Sequence, residues 1–321
     1  MALLLALMGC AKTPAGSSPP PAPATGATVA PVVTAQIATA STPVPVAGNA
    51  FVSGSVECPP GSDLVGGGWA VVLSDGRQSP PSLHLTAGFP TAPRSWTVAA
   101  GTGKQPVARG VAQQFALCRP GASTAPQIVS TTVPGPLGAG ATTRATAVCP
   151  AGTVLTGGGA RASEAVGDAQ PAPAALHLIG SLPTTPAGAA VLAGVAQSWT
   201  AVAQNGGMPS PGASTTAFAI CVAAGTIPPT RVASTQVAGP VAPGGANAMA
   251  RASCPAGTGL VGGGAMTGYP NGTAPQGVHL TASYPVTASA GSFPRTWTAG
   301  AETGNMPAFG GTTTGFALCA G

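Results

Sequence analysis

The chain has 321 residues, which is enough for two or three domains of ordinary size. Charged residues make up only 5% of it, and its eleven Lys and Arg are scattered, so the composition excludes a basic groove for nucleic acid. Gly (48 residues) and Pro (36) are frequent enough to break helices, while an apolar fraction of 44% is too high for a fully disordered chain. These features together predict an all-β protein.

The first ten residues form a short apolar segment that ends in Leu7-Met8-Gly9-Cys10. It resembles the lipobox of bacterial lipoproteins, in which an aliphatic residue stands three positions before a Cys that follows a small residue. The resemblance implies cleavage before Cys10, lipidation of that residue and attachment to a membrane of the bacterial envelope. The segment lacks the Lys or Arg with which a secretory signal normally opens.

Residues 11–48 are rich in Pro, Ala, Thr and Ser, a composition that favours extended polyproline II conformations and resists packing. We expect a disordered stalk between the anchor and a folded region. The last part of this linker, around residues 32–37, can already be the first strand of the region that follows.

A pattern of five landmarks then recurs three times, which indicates one structural unit used three times. Each copy opens with Cys-Pro-x-Gly and a Gly triplet, continues with His-Leu and an apolar-Pro step, and closes with a Ser- or Thr-flanked Trp and Phe-Ala-x-Cys. We place the β-repeats at residues 31–122, 127–224 and 230–321.

Each repeat holds about six short strands separated by Gly and Pro turns, the spacing expected of a small sandwich or barrel. In residues 198–203 and 216–221, small or polar residues alternate with larger apolar ones, as in half-buried strands. We therefore expect three tandem homologous, disulfide-stapled β-sandwich or barrel-like modules. Their large side chains are so few that ordering the chain needs help beyond hydrophobic burial.

Six of the seven cysteines supply that help, because they fall as one pair per repeat at equivalent landmarks. Six Cys allow fifteen pairings, of which the repetition selects one. The predicted disulfides are Cys58–Cys118, Cys149–Cys221 and Cys254–Cys319. Loops of this length each gain about 4 kcal/mol in the chain-entropy account. Disulfides are typical of an oxidising compartment outside the cytoplasm.

The combination of Cys-Pro-x-Gly, Gly-Gly-Gly, Trp-Thr and a closing Phe-Ala-x-Cys resembles a repeat of secreted bacterial proteins, sometimes found at the end of collagen-like chains. The resemblance extends over residues from about 50 to 320. It implies an extracellular β-domain with a disulfide and contributes no catalytic residues.

All three histidines of the chain, His84, His177 and His279, occupy the same position in their repeats. An approximate threefold arrangement would bring their imidazoles together around a metal ion. The alternative is that each His lies on the polar side of its strand, with Val278 and Leu280 pointing inward in the third repeat. The Cys and His spacing does not fit a zinc knuckle, so the pattern by itself assigns no metal and no cofactor.

The tryptophans divide into two groups. Trp96, Trp199 and Trp297 recur at one landmark, and we expect them to pack in the cores because few other large side chains are available. Trp69 has no counterpart in the other repeats. We therefore expect it to be the exposed aromatic and, with the three histidines, a candidate ligand-binding residue.

No arrangement typical of an enzyme stands in the sequence. The six acids do not recur at equivalent positions, and Gly-x-Ser-x-Gly, His-Glu-x-x-His and Gly-Lys-Thr motifs are missing. The Gly triplets are better explained by a bulge or a close backbone approach than by a phosphate loop.

We therefore expect a non-catalytic, membrane-anchored surface protein of the bacterial envelope with a structural or adhesive role. The alternative is a glycan-binding protein with one weak site per repeat. The expected partners are the membrane, through the lipid anchor, and either a cell-surface glycan or another envelope protein.

Overall fold

The computed structural model describes residues 33–75, 82–121, 124–164, 175–269, 277–287 and 293–321. In these residues the regular secondary structure consists of 19 β-strands, so the prediction of an all-β fold is confirmed. Cys10 and the predicted lipobox lie outside the described residues. None of the described residues belongs to a helix that is long and apolar enough to cross a membrane.

Each repeat contributes six long strands, and the second repeat adds a strand of two residues. The first repeat forms β1 (Gln36–Pro43), β2 (Phe51–Glu57), β3 (Ser62–Leu73), β4 (Leu83–Ala92), β5 (Ser95–Thr102) and β6 (Gly110–Pro120). The second forms β7 (Gln127–Pro134), β8 (Thr142–Val148), β9 (Thr153–Ser163), β10 (Leu176–Thr184), β11 (Ala193–Gly194), β12 (Ser198–Asn205) and β13 (Ser214–Ala223). The third forms β14 (Thr230–Ala238), β15 (Asn247–Ser253), β16 (Gly259–Gly268), β17 (Val278–Val286), β18 (Thr296–Thr303) and β19 (Thr312–Ala320). β1 begins within the last part of the predicted linker.

The strands form three sheets, and each sheet is shared by two repeats. The 1/3 sheet has the order β1-β6-β3-β17-β18-β15, the 1/2 sheet β2-β5-β4-β9-β13-β7, and the 2/3 sheet β11-β14-β19-β16-β10-β12-β8. Each repeat therefore divides its strands between two sheets and forms one corner of a three-sided body. Residues 31–321 make up one compact unit, so the repeats are joined and do not stand as separate beads.

Besides the two-pair ladder between β11 and β14, the repeats meet near the axis through three short antiparallel ladders of two residue pairs each. These ladders join β3 to β17, β4 to β9 and β10 to β16. Because the first repeat pairs with the second, the second with the third and the third with the first, the arrangement closes on itself around a pseudo-threefold axis.

The Gly triplets explain how the repeats approach so closely at that axis. A Cβ atom added to Gly66 would lie 2.8 Å from the Cα of Gly262, one on Gly262 would lie 3.1 Å from the Cα of Gly157, and one on Gly157 would lie 2.9 Å from the Cα of Gly66. These contacts run in a circle and mark the axis. One extra residue bulges out of the ladder before each triplet, at Val65, Thr156 and Val261. The predicted close backbone approach and bulge are therefore both present.

The recurring tryptophans fill the cores, as predicted. Trp96, Trp199 and Trp297 are fully buried, and each indole covers the middle Gly of a triplet. The indole Nε1 of Trp199 donates to the Ser181 hydroxyl at 2.9 Å, and that of Trp297 donates to the Ser283 hydroxyl at 3.0 Å.

The prediction that Trp69 is exposed is wrong. Its side chain is only 1% exposed and stacks on Trp96, with ring centroids 6.3 Å apart. The physical reason is Gly88, which stands where the other repeats carry Ser181 and Ser283. The missing side chain leaves room in the first repeat for a second indole, so Trp69 is a core residue and not a surface for ligands.

Each disulfide joins the two sheets of one repeat. The bonds are Cys58–Cys118, Cys149–Cys221 and Cys254–Cys319, with Cα separations of 5.5, 5.7 and 5.5 Å, and these are the predicted pairs. In every case the first Cys directly follows a strand of one sheet and the second lies on a strand of the other. The disulfides thus hold together the two layers of each thin sandwich, and they indicate an extracytoplasmic location.

Candidate functional site

The three histidines converge on the pseudo-threefold axis. The ring centroids of His84, His177 and His279 lie 6.4, 6.2 and 5.8 Å apart, and we call this group the axial His cluster. The His residues are only 4% to 6% exposed, so they do not lie on the open polar side of a strand, while Val278 and Leu280 are buried as that alternative expected.

The fold places these residues by giving each the second position of an equivalent strand, β4, β10 or β17. The residues on either side of each His are buried as well, because these strands are covered on both faces where they begin near the axis. A bulge follows two residues after each His, at Thr86, Ile179 and Thr281. The local environment is thus repeated three times.

The imidazoles are oriented by the backbone of their own strands. Nδ1 of His177 lies 2.9 Å from the carbonyl oxygen of Ala175, and Nδ1 of His279 lies 3.2 Å from that of Gly277. The backbone of Ser82, also two residues before the His, contacts the His84 ring. Since a carbonyl oxygen only accepts, Nδ1 is the donor, and in a neutral ring Nε2 then carries the lone pair.

The Nε2 atoms of His177 and His279 are buried and make no hydrogen bond. The Gln204 side chain and the backbone of Val278 contact the His177 ring, and the backbone of Leu83 contacts the His279 ring. These two rings therefore face the backbone of a neighbouring repeat. A buried acceptor without a donor is costly, so the arrangement calls for a ligand or a structural reason.

Burial keeps all three imidazoles neutral. Desolvation, with repulsion from His177, lowers the pKa of His84 to about 4. Desolvation, with repulsion from His177 and His84, lowers the pKa of His279 to about 3. Desolvation also lowers the pKa of His177. At neutral pH the cluster therefore presents lone pairs and not positive charge.

A pocket of about 550 Å³ opens over the axial His cluster. Its rim comes from equivalent loops of the three repeats, at residues 103–106, 206–208 and 304–305. The rim side chains differ between repeats, with Lys104 in the first, Met208 in the second and Asn305 in the third. The walls near the axis thus keep the pseudo-threefold symmetry that the rim has lost.

Equivalent polar residues hold these loops in place. Thr102 donates to the carbonyl oxygen of Ala47 at 2.7 Å, Asn205 to that of Pro136 at 2.7 Å, and Thr303 to that of Ala242 at 2.5 Å. Sequence reasoning missed this role. The sequence carries a signal for this role, because in every repeat the strand that contains the recurring Trp ends in a Thr or Asn followed by Gly.

Several apolar side chains are exposed on loops that belong to the rim or lie near it. We call this surface the apolar end, and it consists of Val46, Leu137, Met208, Val241, Met306 and Phe309. It is tied to the rim loops because Ser210 donates its backbone N–H to Leu137 at 3.0 Å and Ala308 donates to Val241 at 2.9 Å. Sequence reasoning did not find this surface, since its members lie in separate loops.

A second surface lies where the first two repeats meet in the 1/2 sheet. The half-buried rings of Phe89 and Phe218 stack with centroids 4.9 Å apart, and the Arg161 guanidinium lies 5.4 Å from the Phe89 centroid. Phe115 and Tyr284 stack at 5.2 Å at the corresponding junction of the 1/3 sheet. These aromatic pairs and Phe51 are half-exposed rings of the sheets, whereas Trp69 is buried.

No family model and no curated protein matches this chain. Function is therefore inferred from the chain's own geometry. In the residues that the structure describes, no three His, Cys, Asp or Glu side chains are already arranged to hold a metal ion.

Proposed function

We propose that this chain is a non-catalytic surface protein of the bacterial envelope, anchored through Cys10, with a structural or adhesive role. The main observation in favour of this role is the apolar end. Soluble proteins rarely expose large apolar patches without a partner, and here loops of all three repeats expose apolar side chains near the rim of the axial pocket. We further propose that the partner is another protein of the envelope, because apolar contact suits a protein surface better than a sugar.

The architecture supports this role. Closure of three sheets around an axis, with a disulfide across each repeat, gives a compact body in which no repeat has to stand alone. A lipid anchor followed by a Pro-rich stalk would hold this body away from the membrane. The apolar end would then be free to contact a partner.

The scarcity of charge supports it as well, because only 5% of the residues are charged and several side-chain contacts join two neutral hydroxyls. Pairs across neighbouring strands include Ser55 with Thr97 at 2.7 Å and Thr132 with Thr216 at 2.9 Å. Contacts made by such a surface depend little on ionic strength. Adhesion through this chain is therefore expected to persist in high salt.

The test compares attachment of cells that display the full chain with that of cells that display charged variants. Leu137→Asp and Met306→Asp at the apolar end are expected to abolish attachment to an envelope-protein-coated surface, because a carboxylate there would have to be desolvated. Leu192→Asp is the matched control, since Leu192 is equally exposed but belongs to the segment beside β11. Attachment that survives both apolar-end variants would contradict the proposal.

The anchor is tested separately by replacing the Cys of the lipobox-like segment. Cys10→Ser is expected to release the chain from the membrane fraction into the medium, because the thiol that takes the lipid is removed. The three disulfides should form as before. Retention of the variant in the membrane fraction would overturn the proposed mode of attachment.

Glycan binding is a second candidate, and one observation favours it: the stacked Phe89 and Phe218 with Arg161 beside them. Phe89 and Arg161 line a small pocket of about 170 Å³ beside this stack, together with Phe51 and the hydroxyls of Ser53, Thr91 and Thr97. Sugar rings stack on aromatic faces through their C–H bonds, and a guanidinium would bind a carboxylated sugar.

A glycan array probed with the full chain tests this candidate. Binding that favours uronic-acid glycans and is lost in Phe89→Ala, but not in Phe309→Ala at the apolar end, would establish it. Binding unaffected by Phe89→Ala, or no binding at all, would exclude this pocket as a glycan site.

A further inference from the structure

We propose that the axial His cluster binds one divalent first-row transition metal ion through the Nε2 atoms of His84, His177 and His279. The proposal is independent of the adhesive role, since it concerns the axis and not the apolar end.

The donor chemistry is the first argument. Nδ1 of His177 and Nδ1 of His279 each point at a backbone carbonyl, which leaves Nε2 as the lone-pair atom of the neutral ring. Metal-bound histidines almost always donate their second N–H to a carbonyl or carboxylate in this way, because that bond fixes the tautomer and the ring orientation. Two imidazoles prepared in this manner, with the His84 ring beside them, are a set of nitrogen donors for a Lewis acid.

Burial is the second argument. The Nε2 atoms of His177 and His279 are buried without a hydrogen bond of good geometry, although the Gln204 side chain contacts the His177 ring. An ion bound by both atoms would satisfy them at once.

Distance is the third argument. Three imidazoles on one tetrahedral ion with metal–nitrogen bonds of 2.0–2.1 Å would have ring centroids about 5 Å apart. The observed separations are 5.8 to 6.4 Å. The rings therefore have to approach one another by roughly 1 Å and turn Nε2 toward the axis, a movement within the range of side-chain rotation.

The surroundings favour an open site. The pocket of about 550 Å³ gives access to the cluster from solvent, and a fourth ligand position could face it. Imidazole donors select zinc, nickel or copper over calcium and magnesium, which prefer oxygen ligands. All six cysteines of the repeats are in disulfides, so they do not compete for the ion.

The experiment titrates the untagged full chain, in a Cys10→Ser background with its disulfides intact, with Zn²⁺ and, as a control, Ca²⁺. Calorimetry is expected to give one Zn²⁺ per chain and no heat from Ca²⁺. The Cys10→Ser change removes the remaining thiol, which could otherwise bind zinc by itself. Co²⁺ in place of Zn²⁺ should produce the visible absorption of a nitrogen-ligated ion.

Variants locate the site. His177→Gln and His279→Gln are each expected to weaken Zn²⁺ binding at least tenfold, whereas Asn305→Ala, a change on the pocket rim, should leave it within threefold. If the His variants fail to fold, the wild-type chain still decides the matter through ¹H–¹⁵N spectra of its imidazoles, in which Zn²⁺ must shift the three Nε2 signals. No Zn²⁺ binding at 100 µM, binding without shifts at Nε2, or unchanged affinity in both His variants would overturn the proposal.

Discussion

A side chain on residue 88 would overlap the indole ring of Trp69, and the overlap is avoided because residue 88 is Gly. In the other repeats the position of Trp69 is held by Ala160 or Ala265, and a Ser whose hydroxyl accepts from the core Trp stands at the position of Gly88. The first repeat thus has an indole where the other repeats have Ala, and a Gly where they have Ser. The two changes are physically coupled.

That coupling predicts the outcome of a double-mutant cycle. Gly88→Ser alone should lower the free energy of unfolding by about 2 to 4 kcal/mol through overpacking against Trp69, and Trp69→Ala alone by about 3 to 5 kcal/mol through the cavity it leaves. The double variant should lose less than the two added together, because the introduced serine side chain would then have room and its hydroxyl could accept from the Trp96 indole. Urea denaturation measures all three, and strictly additive losses would contradict the interpretation.

The axial glycines give a sharper steric prediction. A Cβ on Gly66 would lie 2.8 Å from the Cα of Gly262, and because the obstacle is backbone no side chain can rotate away. Gly66→Ala should therefore destabilise the fold by at least about 2 kcal/mol. Gly138→Ala is the control, since its nearest atom would be 3.9 Å away, and the change should stay within about 0.5 kcal/mol. If the two variants had equal thermal midpoints, the axial glycines would not be the reason why the repeats can approach so closely.

Sharing of the sheets predicts that the repeats unfold together. Removing residues 230–321 would expose the edges of β3 and β10, which pair with the third repeat in the intact chain. The truncated chain should aggregate or unfold, although two complete repeats remain. The intact chain should show a single transition that coincides in near- and far-ultraviolet circular dichroism. Separate transitions for separate repeats would indicate independent domains.

The sequence predicted those features that each repeat carries by itself. The pairing of Cys149 with Cys221 and the burial of Trp199 follow from landmarks that recur at matched positions, so one interpretation had to serve three copies. Trp69 was misplaced because its environment depends on Gly88, which faces it across the sandwich in the first repeat alone. Whether His84 would meet the other histidines depended on ladders of only two residue pairs between repeats, and composition and spacing carry no signal for those.

Burial of the axial His cluster predicts loss of stability in acid, measured in metal-free buffer with a chelator. Folding lowers the pKa of His84 to about 4 and that of His279 to about 3, both below the unfolded value of 6.5, so the unfolded chain takes up protons first as the pH falls. The stabilisation is complete above pH 6.5 and is lost progressively between pH 6.5 and pH 4 to 3. His84 alone should account for about 3 kcal/mol of that loss.

The small number of acids makes this dependence easy to assign. A variant with Gln at all three His positions should have a free energy of unfolding that is nearly flat from pH 6.5 to pH 5, where carboxylates have not yet begun to take up protons in quantity. Urea titrations at half-unit intervals of pH measure both chains. An equal slope in the two would mean that the histidines are not the groups that titrate, and that the buried, neutral cluster is not what acid disrupts.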